Sequence, residues 1–419
     1  MNANPCLPWE IIKEIVGYYT GSNLRLRAVC KRMYSFAIKQ YCDAHTIHAN
    51  ANTQKELIQH AKTLHIDDPI DLRLANPITL RINDRFHMHG PLTHMTRLRS
   101  LATLSINTDE LLKLTTLTHL ELWAERSLCD FRTLTNLTSL SVSADAIIDG
   151  LPLVKLSLLC CNDVNVPSAV RDLKVYDSKF PRLSGPLQSL VLGYGIEMGH
   201  DCIQYTRALE TFVSEYCIIP SDFLDDDIGK HLRTLEIEYP ETDDIHAMIN
   251  IIATFTSLTR LSIRTDIEVS ENFLSNLTAL VDLQFDIDED ILIEHLTSLK
   301  RLCICSGKIT DEFLRKNTSL VYLYVEPFGV DEHTSPITNY GLEPLTCLEY
   351  LDLRSNDHVT DAGIMHLINL KHVYIDFSML TTACGDLIRE QRYLQTGDRG
   401  QVQVHDDDSI GDFNLYSRW

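Results

Sequence analysis

The chain has 419 residues, a formal net charge of −21 and 44% hydrophobic residues. That charge disfavours binding to nucleic acid or to an anionic membrane surface, and it favours basic protein partners. The twelve cysteines are too few and too irregularly spaced for a disulfide framework, so we expect a reducing compartment, the cytoplasm or the nucleus. Neither a signal peptide nor an apolar run of about 18 residues is visible, so no membrane association is expected.

Two helices are predicted in residues 1–41. Pro8 suits the first turn of a helix because it lacks a backbone N–H, and the apolar residues of LPWEIIKEIVGYY recur at helical spacing. Gly21-Ser22-Asn23 separates this helix from a second one, LRLRAVCKRMYSFAIKQY. A pair of helices of about 35 residues buries too little apolar surface to fold alone, so its free apolar faces need a partner.

The segment LPWEIIKEIVGYYTGSNLRLRAVCKRMYSFA resembles an F-box, whose pattern is Leu-Pro, an apolar helix, and then L-x-x-x-x-V-C-K-x-aromatic. The sequence departs from the family at Met33, where Trp or Phe is usual. The resemblance implies that the two helices dock on the Skp-family adaptor of a cullin–RING ubiquitin ligase. The residues implied in that contact are Leu7, Pro8, Ile11, Ile12, Ile15, Leu24, Val29, Cys30 and Met33. The alternative is a helical cap that only shields the first repeat.

Residues 42–100 are interpreted as a linker with degenerate first repeats. His45–Ala49 predicts a strand, and Thr53 with Glu56 three residues later forms a capping box for a helix that reaches about Leu64. One or two further strands are predicted in LRLANPITLRI, where Ile78, Leu80 and Ile82 alternate.

From residue 101 one apolar pattern dominates, and Leu348–Leu367 is its clearest copy. Leu348, Leu351 and Leu353 follow L-x-x-L-x-L, and Asn356 comes three residues later. This is the signature of a leucine-rich repeat (LRR), in which a short strand is followed by a turn and a returning segment. The pattern occurs fourteen times, with starts at 101, 117, 137, 153, 170, 187, 209, 232, 258, 280, 299, 320, 348 and 370. Only the copy at Leu209 is badly degraded.

The predicted fold class is therefore α/β: F-box helices followed by an LRR solenoid, a horseshoe with parallel strands on the concave face and loops or helices on the convex face. We assign 101–395 to the repeats and 396–419 to a cap and acidic tail. The early starts lie so close together that their returning segments have no room for a helix and should be tight or extended. A later segment, Glu241–Phe255, has room for two or three helical turns.

No group of residues predicts catalysis. Cys303-x-Cys305 and Cys160-Cys161 are weak metal patterns, since the first pair alternates with Leu302 and Ile304 along an exposed strand face. No nucleophile arrangement or phosphate-binding loop is visible, so we expect neither enzyme activity, nor a metal, nor a cofactor.

The strand faces are the stronger candidates, because side chains alternate along a strand and the outward ones form the binding surface of such a solenoid. In three late repeats these residues are rich in tyrosine, which is enriched at binding hot spots. The predicted substrate-binding residues are Tyr322, Tyr324, Glu326, Tyr350, Asp352, Arg354, His372, Tyr374 and Asp376. The alternative is that these tyrosines only suit β-structure.

The resemblance to F-box/LRR proteins implies a substrate-recognition subunit of an SCF-type ligase in ubiquitin-dependent protein degradation. The F-box would bind the Skp-family adaptor, and the LRR would hold a protein substrate. The alternative function is an LRR interaction or regulatory protein of the ribonuclease-inhibitor type, with a purely structural N-terminal cap.

Overall fold

The computed structural model describes residues 42, 46–49, 55–66, 72–82, 92–104, 106–123, 128–265, 269–286, 293–304, 309–325, 337–353, 356–375 and 381. The chain divides into two compact units, Met1–Leu209 and Glu210–Trp419. The nine predicted Skp-contact residues, the substrate-site residues Glu326, Arg354 and Asp376, and all predicted elements beyond residue 381 lie outside the described residues.

The first unit is built on a parallel sheet. Its strands are β1 (Thr46–Ala49), β2 (Thr63–Ile66), β3 (Thr79–Ile82), β4 (Ser100–Thr103), β5 (His119–Leu122), β6 (Cys129–Asp130), β7 (Ser139–Val142), β8 (Ala146–Ile147), β9 (Lys155–Leu159), β10 (Asn165–Val166), β11 (Asp172–Tyr176), β12 (Arg182–Leu183) and β13 (Ser189–Leu192). Helices α1 (Lys55–His60) and α2 (Thr108–Leu111) and the 3-10 turns Leu72–Leu74 and His200–Tyr205 lie between them.

The longer strands of this unit pair in chain order, β1 to β5 and then β7, β9, β11 and β13, always parallel and in register. The two-residue strands β6 and β8 pair with each other, as do β10 and β12. These short strands lie in returning segments of the closely spaced repeats, where the sequence predicted tight or extended chain. That prediction is confirmed for the repeats that contain β6, β8, β10 and β12. It is wrong for the first predicted copy, whose returning segment contains helix α2 (Thr108–Leu111).

The second unit repeats the plan with more helix. Its strands are β14 (Thr211–Glu215), β15 (Thr234–Glu238), β16 (Arg260–Arg264), β17 (Asp282–Asp286), β18 (Arg301–Ile304), β19 (Tyr322–Val325), β20 (Tyr350–Leu353) and β21 (His372–Ile375), all parallel and paired in chain order. Its helices are α3 (Asp226–Gly229), α4 (Ile245–Ile252), α5 (Asp311–Lys316), α6 (Asn339–Leu342) and α7 (Asp361–Ile364).

The repeated leucines explain the fold. We number each repeat from its first leucine, so that the pattern places apolar residues at positions 1, 4 and 6. In the clearest repeat these are Leu348, Leu351 and Leu353, and each is 0% exposed. Because strands pair in register, each buried position lies beside its equivalent in the next repeat, and one repeat buries the apolar face of its neighbour. The LRR solenoid is as predicted, and the F-box helices predicted before it lie outside the described residues.

Helix α4 is also as predicted, since it lies within Glu241–Phe255. The carboxylate of Asp244 accepts a hydrogen bond from the backbone N–H of Ala247 and caps its first turn. None of the helices in the described ranges is long and apolar enough to cross a membrane.

The frame of the first predicted copy is wrong by three residues. β4 spans Ser100–Thr103, so the repeat begins at Leu98, and Leu98, Leu101 and Thr103 are its buried positions. Leu104, which the predicted frame places in the core, is 36% exposed. The error arises because Leu98, Leu101 and Leu104 are spaced by three, so positions 1 and 4 of the pattern are leucine in either frame.

Two further local predictions are corrected. Helix α1 ends at His60, and Leu64 lies in β2. The copy at Leu209, which looks degraded in sequence, forms the complete strand β14. Phe212 and Ser214 occupy its positions 4 and 6 and are fully buried, and the Ser214 hydroxyl has no hydrogen-bond partner there.

Candidate functional site

The predicted tyrosine-rich face lies on three adjacent strands, β19, β20 and β21. Their register places Tyr322, Tyr350 and His372 in one row across the sheet. Two residues further along each strand, Tyr324, Asp352 and Tyr374 form a second row beside the first. The structure thus brings together six of the nine residues predicted from the alternation of side chains.

The first row is a continuous stack of rings. The Tyr322 and Tyr350 rings are parallel within 7°, with 4.2 Å between their centroids. Tyr350 also contacts His372 and Tyr374, at centroid distances of 5.9 and 5.7 Å. On the other side of Tyr322, the guanidinium carbon of Arg301 in β18 lies 4.2 Å from the ring centroid, a cation–π contact. The stack fixes the rings of these side chains before any partner binds.

Asp352 lies on this face but is not exposed, which corrects the expectation of an outward charge. It is 1% exposed, and the Tyr350 hydroxyl donates to its Oδ2 at 3.4 Å. Burial raises the pKa of the Tyr350 hydroxyl far above its usual value, and the Tyr322 and Asp352 side chains raise it further. Burial also raises the pKa of the Tyr322 hydroxyl. Both phenols therefore remain protonated at physiological pH and can donate hydrogen bonds.

Towards the middle of the second unit the same face carries paired charges. Arg260 Nε lies 2.7 Å from Glu236 Oε1 and 3.6 Å from Asp282 Oδ2. Arg301 Nε lies 3.6 Å from Asp282 Oδ1, so Asp282 is shared by two arginines. Burial raises the pKa of the Glu236 and Asp282 carboxyls, while Arg260 opposes that rise. This alternating row of carboxylates and guanidinium groups is largely self-neutralising.

The sheet face of the first unit has small and scattered polar side chains. By the alternation of side chains along the strands, its outward residues include Ser139, Ser141, Ser143, Lys155, Ser157 and Lys174. Lys155 Nζ lies 3.4 Å from Asp172 Oδ2 in an exposed pair, which contributes little stability. At its N-terminal edge, the His48 and His65 rings meet edge to face with 5.0 Å between centroids. Among the residues of this unit that the structure describes, no group of large aromatic anchors lies on this face.

Sequence reasoning missed how several repeats close their turns without asparagine. Asn356 closes its own turn at position 9, and Cys161 and Cys217 occupy the same position in their repeats. Cys161 Sγ donates to the carbonyl of Ala144 at 3.1 Å, and burial raises the pKa of its thiol to about 11, so it remains a donor. The signal was available, because LRR patterns accept Asn or Cys at this position.

The residue before position 9 has left-handed backbone in several repeats. Cys160, Asp177, Tyr216 and Tyr239 have φ between 42° and 54°. This conformation is uncommon for residues other than glycine, and it turns the chain sharply at the end of the strand. Tyr216 and Tyr239 stack with 5.1 Å between their ring centroids.

Of the cysteine pairs considered as metal ligands, Cys160 and Cys161 have the turn roles just described, and Cys305 lies outside the described residues. Cys303 is 7% exposed rather than outward and open, because its short side chain lies in register between Gln284 and Tyr324. Within the described ranges, no group of three or more His, Cys, Asp or Glu side chains is arranged to hold a metal ion.

No protein-family model and no curated protein sequence matches the chain. Among solved structures, it is similar to an LRR protein of Leptospira interrogans, with 16% identity, 80% of this chain and 89% of that chain covered, and a TM-score of 0.44. It is also similar to the LRR ectodomain of an Arabidopsis thaliana membrane receptor kinase in complex with Casparian strip integrity factor 2, with 14% identity, 82% and 51% covered, and a TM-score of 0.41. A third is the TLR13–ssRNA13 complex, with 16% identity, 78% and 61% covered, and a TM-score of 0.41. At these identities and scores the similarities carry no argument about function.

Proposed function

We propose that the chain is a non-catalytic recognition protein that binds a protein partner through the outward face of β19–β21. The observation that carries this proposal is the stack of Arg301, Tyr322 and Tyr350 with Tyr374 beside it. Such a face presents large, pre-ordered aromatic area with hydroxyl donors, and little side-chain entropy is lost when a partner covers it.

The proposed second partner is the Skp-family adaptor of an SCF-type ubiquitin ligase, bound by the F-box-like segment in residues 1–41. The support is the sequence pattern from Leu7-Pro8 to Val29-Cys30-Lys31, followed along the chain by the repeats. The protein would then act by proximity in the cytoplasm or nucleus. It would raise the local concentration of substrate lysines near the charged ubiquitin-conjugating enzyme, while other subunits perform the transfer.

Co-purification with the Skp-family adaptor tests the ligase role. We expect the intact chain to retain the adaptor and Leu7→Ala/Pro8→Ala to lose it, because the double variant removes apolar anchors and the start of the helix predicted there. The matched control is Asn2→Ala/Asn4→Ala, which changes the same segment outside the motif and should retain the adaptor. If the intact chain does not bind the adaptor, the ligase role is wrong. The alternative function, an LRR interaction protein with a structural N-terminal cap, would then be favoured.

Quantitative affinity purification from cells tests the tyrosine face. Tyr322→Ala/Tyr350→Ala should reduce recovery of the partner by more than about tenfold, since hot-spot residues contribute about 2 kcal/mol or more each. Tyr340→Ala is the matched control, because Tyr340 also lies under an arginine, Arg315 at 3.9 Å, but belongs to helix α6 and is 58% exposed. Equal recovery with the double variant and the control would place the binding surface elsewhere.

A further inference from the structure

Strands β3, β4 and β5 of the first unit carry larger side chains than the rest of its polar face. Arg81, Ala102 and Glu121 lie in register across these three strands. Leu104 and Trp123 directly follow β4 and β5, and the backbone N–H of Trp123 donates to a carbonyl of β4 at 3.1 Å. This bond continues the pairing of the two strands past their ends. We call Arg81, Ala102, Leu104, Glu121 and Trp123 the β3–β5 surface.

The two charged side chains of this surface are exposed and open to a partner. Arg81 and Glu121 lie on either side of Ala102, two strand spacings or roughly 10 Å apart. Among the residues that the structure describes, neither side chain forms an ion pair or a hydrogen bond. They differ in this from Arg260 of the second unit, whose guanidinium group is held by carboxylates. A guanidinium group without such a partner can accept a carboxylate through two parallel hydrogen bonds.

Exposed apolar area lies beside these charges. Leu104 is 36% exposed and Trp123 is 46% exposed. The alternation of side chains places both on the same face as Ala102 and Glu121, two residues further along their strands. Tryptophan and arginine are the side chains most enriched at binding hot spots, and covering Leu104 and Trp123 would remove apolar area from water. The surface therefore combines an unpaired cation with an apolar anchor.

We propose that the β3–β5 surface is a second docking site, which binds an acidic segment of a protein partner. A carboxylate of that segment pairs with Arg81, and a large apolar side chain covers Leu104 and Trp123. This inference goes beyond the proposed function, because it concerns the first unit and does not depend on the tyrosine face. Charge complementarity at Arg81 selects the segment, since the chain as a whole, with a net charge of −21, repels acidic peptides.

The positions of the charges also fix the direction of the segment. Glu121 repels a carboxylate at the β5 end of the row, so the acidic residue is favoured only at the β3 end. Arg81 and Trp123 are two strands and two residues apart, roughly 12 Å, which an extended segment spans with about four residues. The expected ligand thus has its acidic and its apolar side chain about three or four positions apart.

The test is a titration of the full chain with short peptides, followed by the fluorescence of Trp123. The chain has three tryptophans, so Trp9→Phe/Trp419→Phe leaves Trp123 as the reporter. The probe is acetyl-Glu-Glu-Gly-Gly-Phe-Leu-amide. We expect it to bind and to shift the Trp123 emission to shorter wavelength, because the indole ring loses water. Acetyl-Lys-Lys-Gly-Gly-Phe-Leu-amide should bind at least about tenfold more weakly there, although the net charge of the chain favours it.

Variants with matched controls separate the two parts of the surface. Arg81→Gln should weaken the acidic probe at least about tenfold, because it removes the guanidinium group. Lys174→Gln removes an exposed cation from the same row of the sheet, on β11, and should change the affinity less than about twofold. Leu104→Ala should weaken the probe too, whereas Leu128→Ala, just before β6 and 65% exposed, should not. Circular dichroism of each variant verifies that it is folded.

Three results would overturn the inference: no binding of the acidic probe, equal affinity for the two peptides, or equal loss with Arg81→Gln and Lys174→Gln. Tyr322→Ala/Tyr350→Ala should leave the affinity for the acidic probe unchanged. If that double variant abolishes binding, the probe occupies the tyrosine face and the inference is wrong. If the double variant loses its cellular partner while the acidic probe fails to bind the unaltered chain, the inference is wrong and the proposed function stands.

Discussion

The Asn356 side-chain amide forms hydrogen bonds with backbone groups that have no strand partner where the chain leaves β20. It is 0% exposed, and its Nδ2 donates to the carbonyl of Ile337 in the preceding repeat at 2.9 Å. Its Oδ1 accepts from the backbone N–H groups of His358 and Val359, at 3.0 and 2.9 Å. One side chain thus satisfies three buried backbone groups, and each would be costly if left unpaired.

Substitutions of Asn356 separate the contribution of the hydrogen bond that its Nδ2 donates from that of the two bonds that its Oδ1 accepts. Asn356→Ala should lower the free energy of unfolding by about 3 kcal/mol, about 1 kcal/mol for each lost hydrogen bond. Asn356→Cys should lose less, because Cys161 at the same repeat position donates from Sγ to the preceding repeat. Urea denaturation followed by circular dichroism measures both. Variants of equal stability would mean that the Ile337 contact contributes nothing.

Within the second unit, one contact recurs three times and joins four successive returning segments. Asp311 accepts from the backbone N–H and hydroxyl of Thr338, at 2.8 and 2.6 Å. Asn339 likewise accepts from the Thr360 N–H at 2.8 Å, and Asp361 accepts from the N–H and hydroxyl of Thr381. In each of these contacts, which we call Thr–Asx clasps, the first residue of a short helix accepts a hydrogen bond from a threonine of the next returning segment.

The clasps bring helices α6 and α7 so close that a side chain cannot fit at one point. A Cβ on Gly363 would lie 2.4 Å from Asn339 Oδ1 and 3.2 Å from Asn339 Cα. The recurrence of glycine two residues after the Asx, at Gly341 and Gly363, is a sequence signal for this packing.

Gly363→Ala should therefore destabilise the protein by about 2 kcal/mol, a typical penalty for overpacking a filled site, despite the better helix propensity of alanine. Ala362→Ser, on the exposed side of the same helix, is the control and should shift the free energy by less than about 0.5 kcal/mol. A gain of stability in Gly363→Ala, measured by chemical denaturation, would contradict the close approach.

Across the molecule, the sequence was most informative for features that repeat regularly along the chain, such as the alternation of side chains in strands. Alternation along a strand predicts which side chains share a face, and in-register pairing then places Tyr322 beside Tyr350. The stacking of the two rings depends on rotamers, which no pattern specifies. The burial of Asp352 likewise depends on how the side chains around it pack, so its outward position in the alternation was a poor guide to its exposure.

The first repeat shows the other limit of pattern reading. Leu98, Leu101 and Leu104 are spaced by three, and only packing against the neighbouring strands decides between the two frames. The F-box-like segment lies outside the described residues, so its adaptor contact stays a prediction from sequence.

The Thr–Asx clasps also have a direction. In each, the backbone N–H of the later threonine donates to the side-chain oxygen of the earlier residue, from Thr338 to Asp311, Thr360 to Asn339 and Thr381 to Asp361. One side-chain bond has the opposite direction, since Asn339 Nδ2 donates to the Thr360 hydroxyl. During synthesis on the ribosome, each newly emerged segment meets an acceptor that its predecessor has already presented. The second unit can thus be assembled one repeat at a time, in the order of translation, without waiting for its C-terminal end.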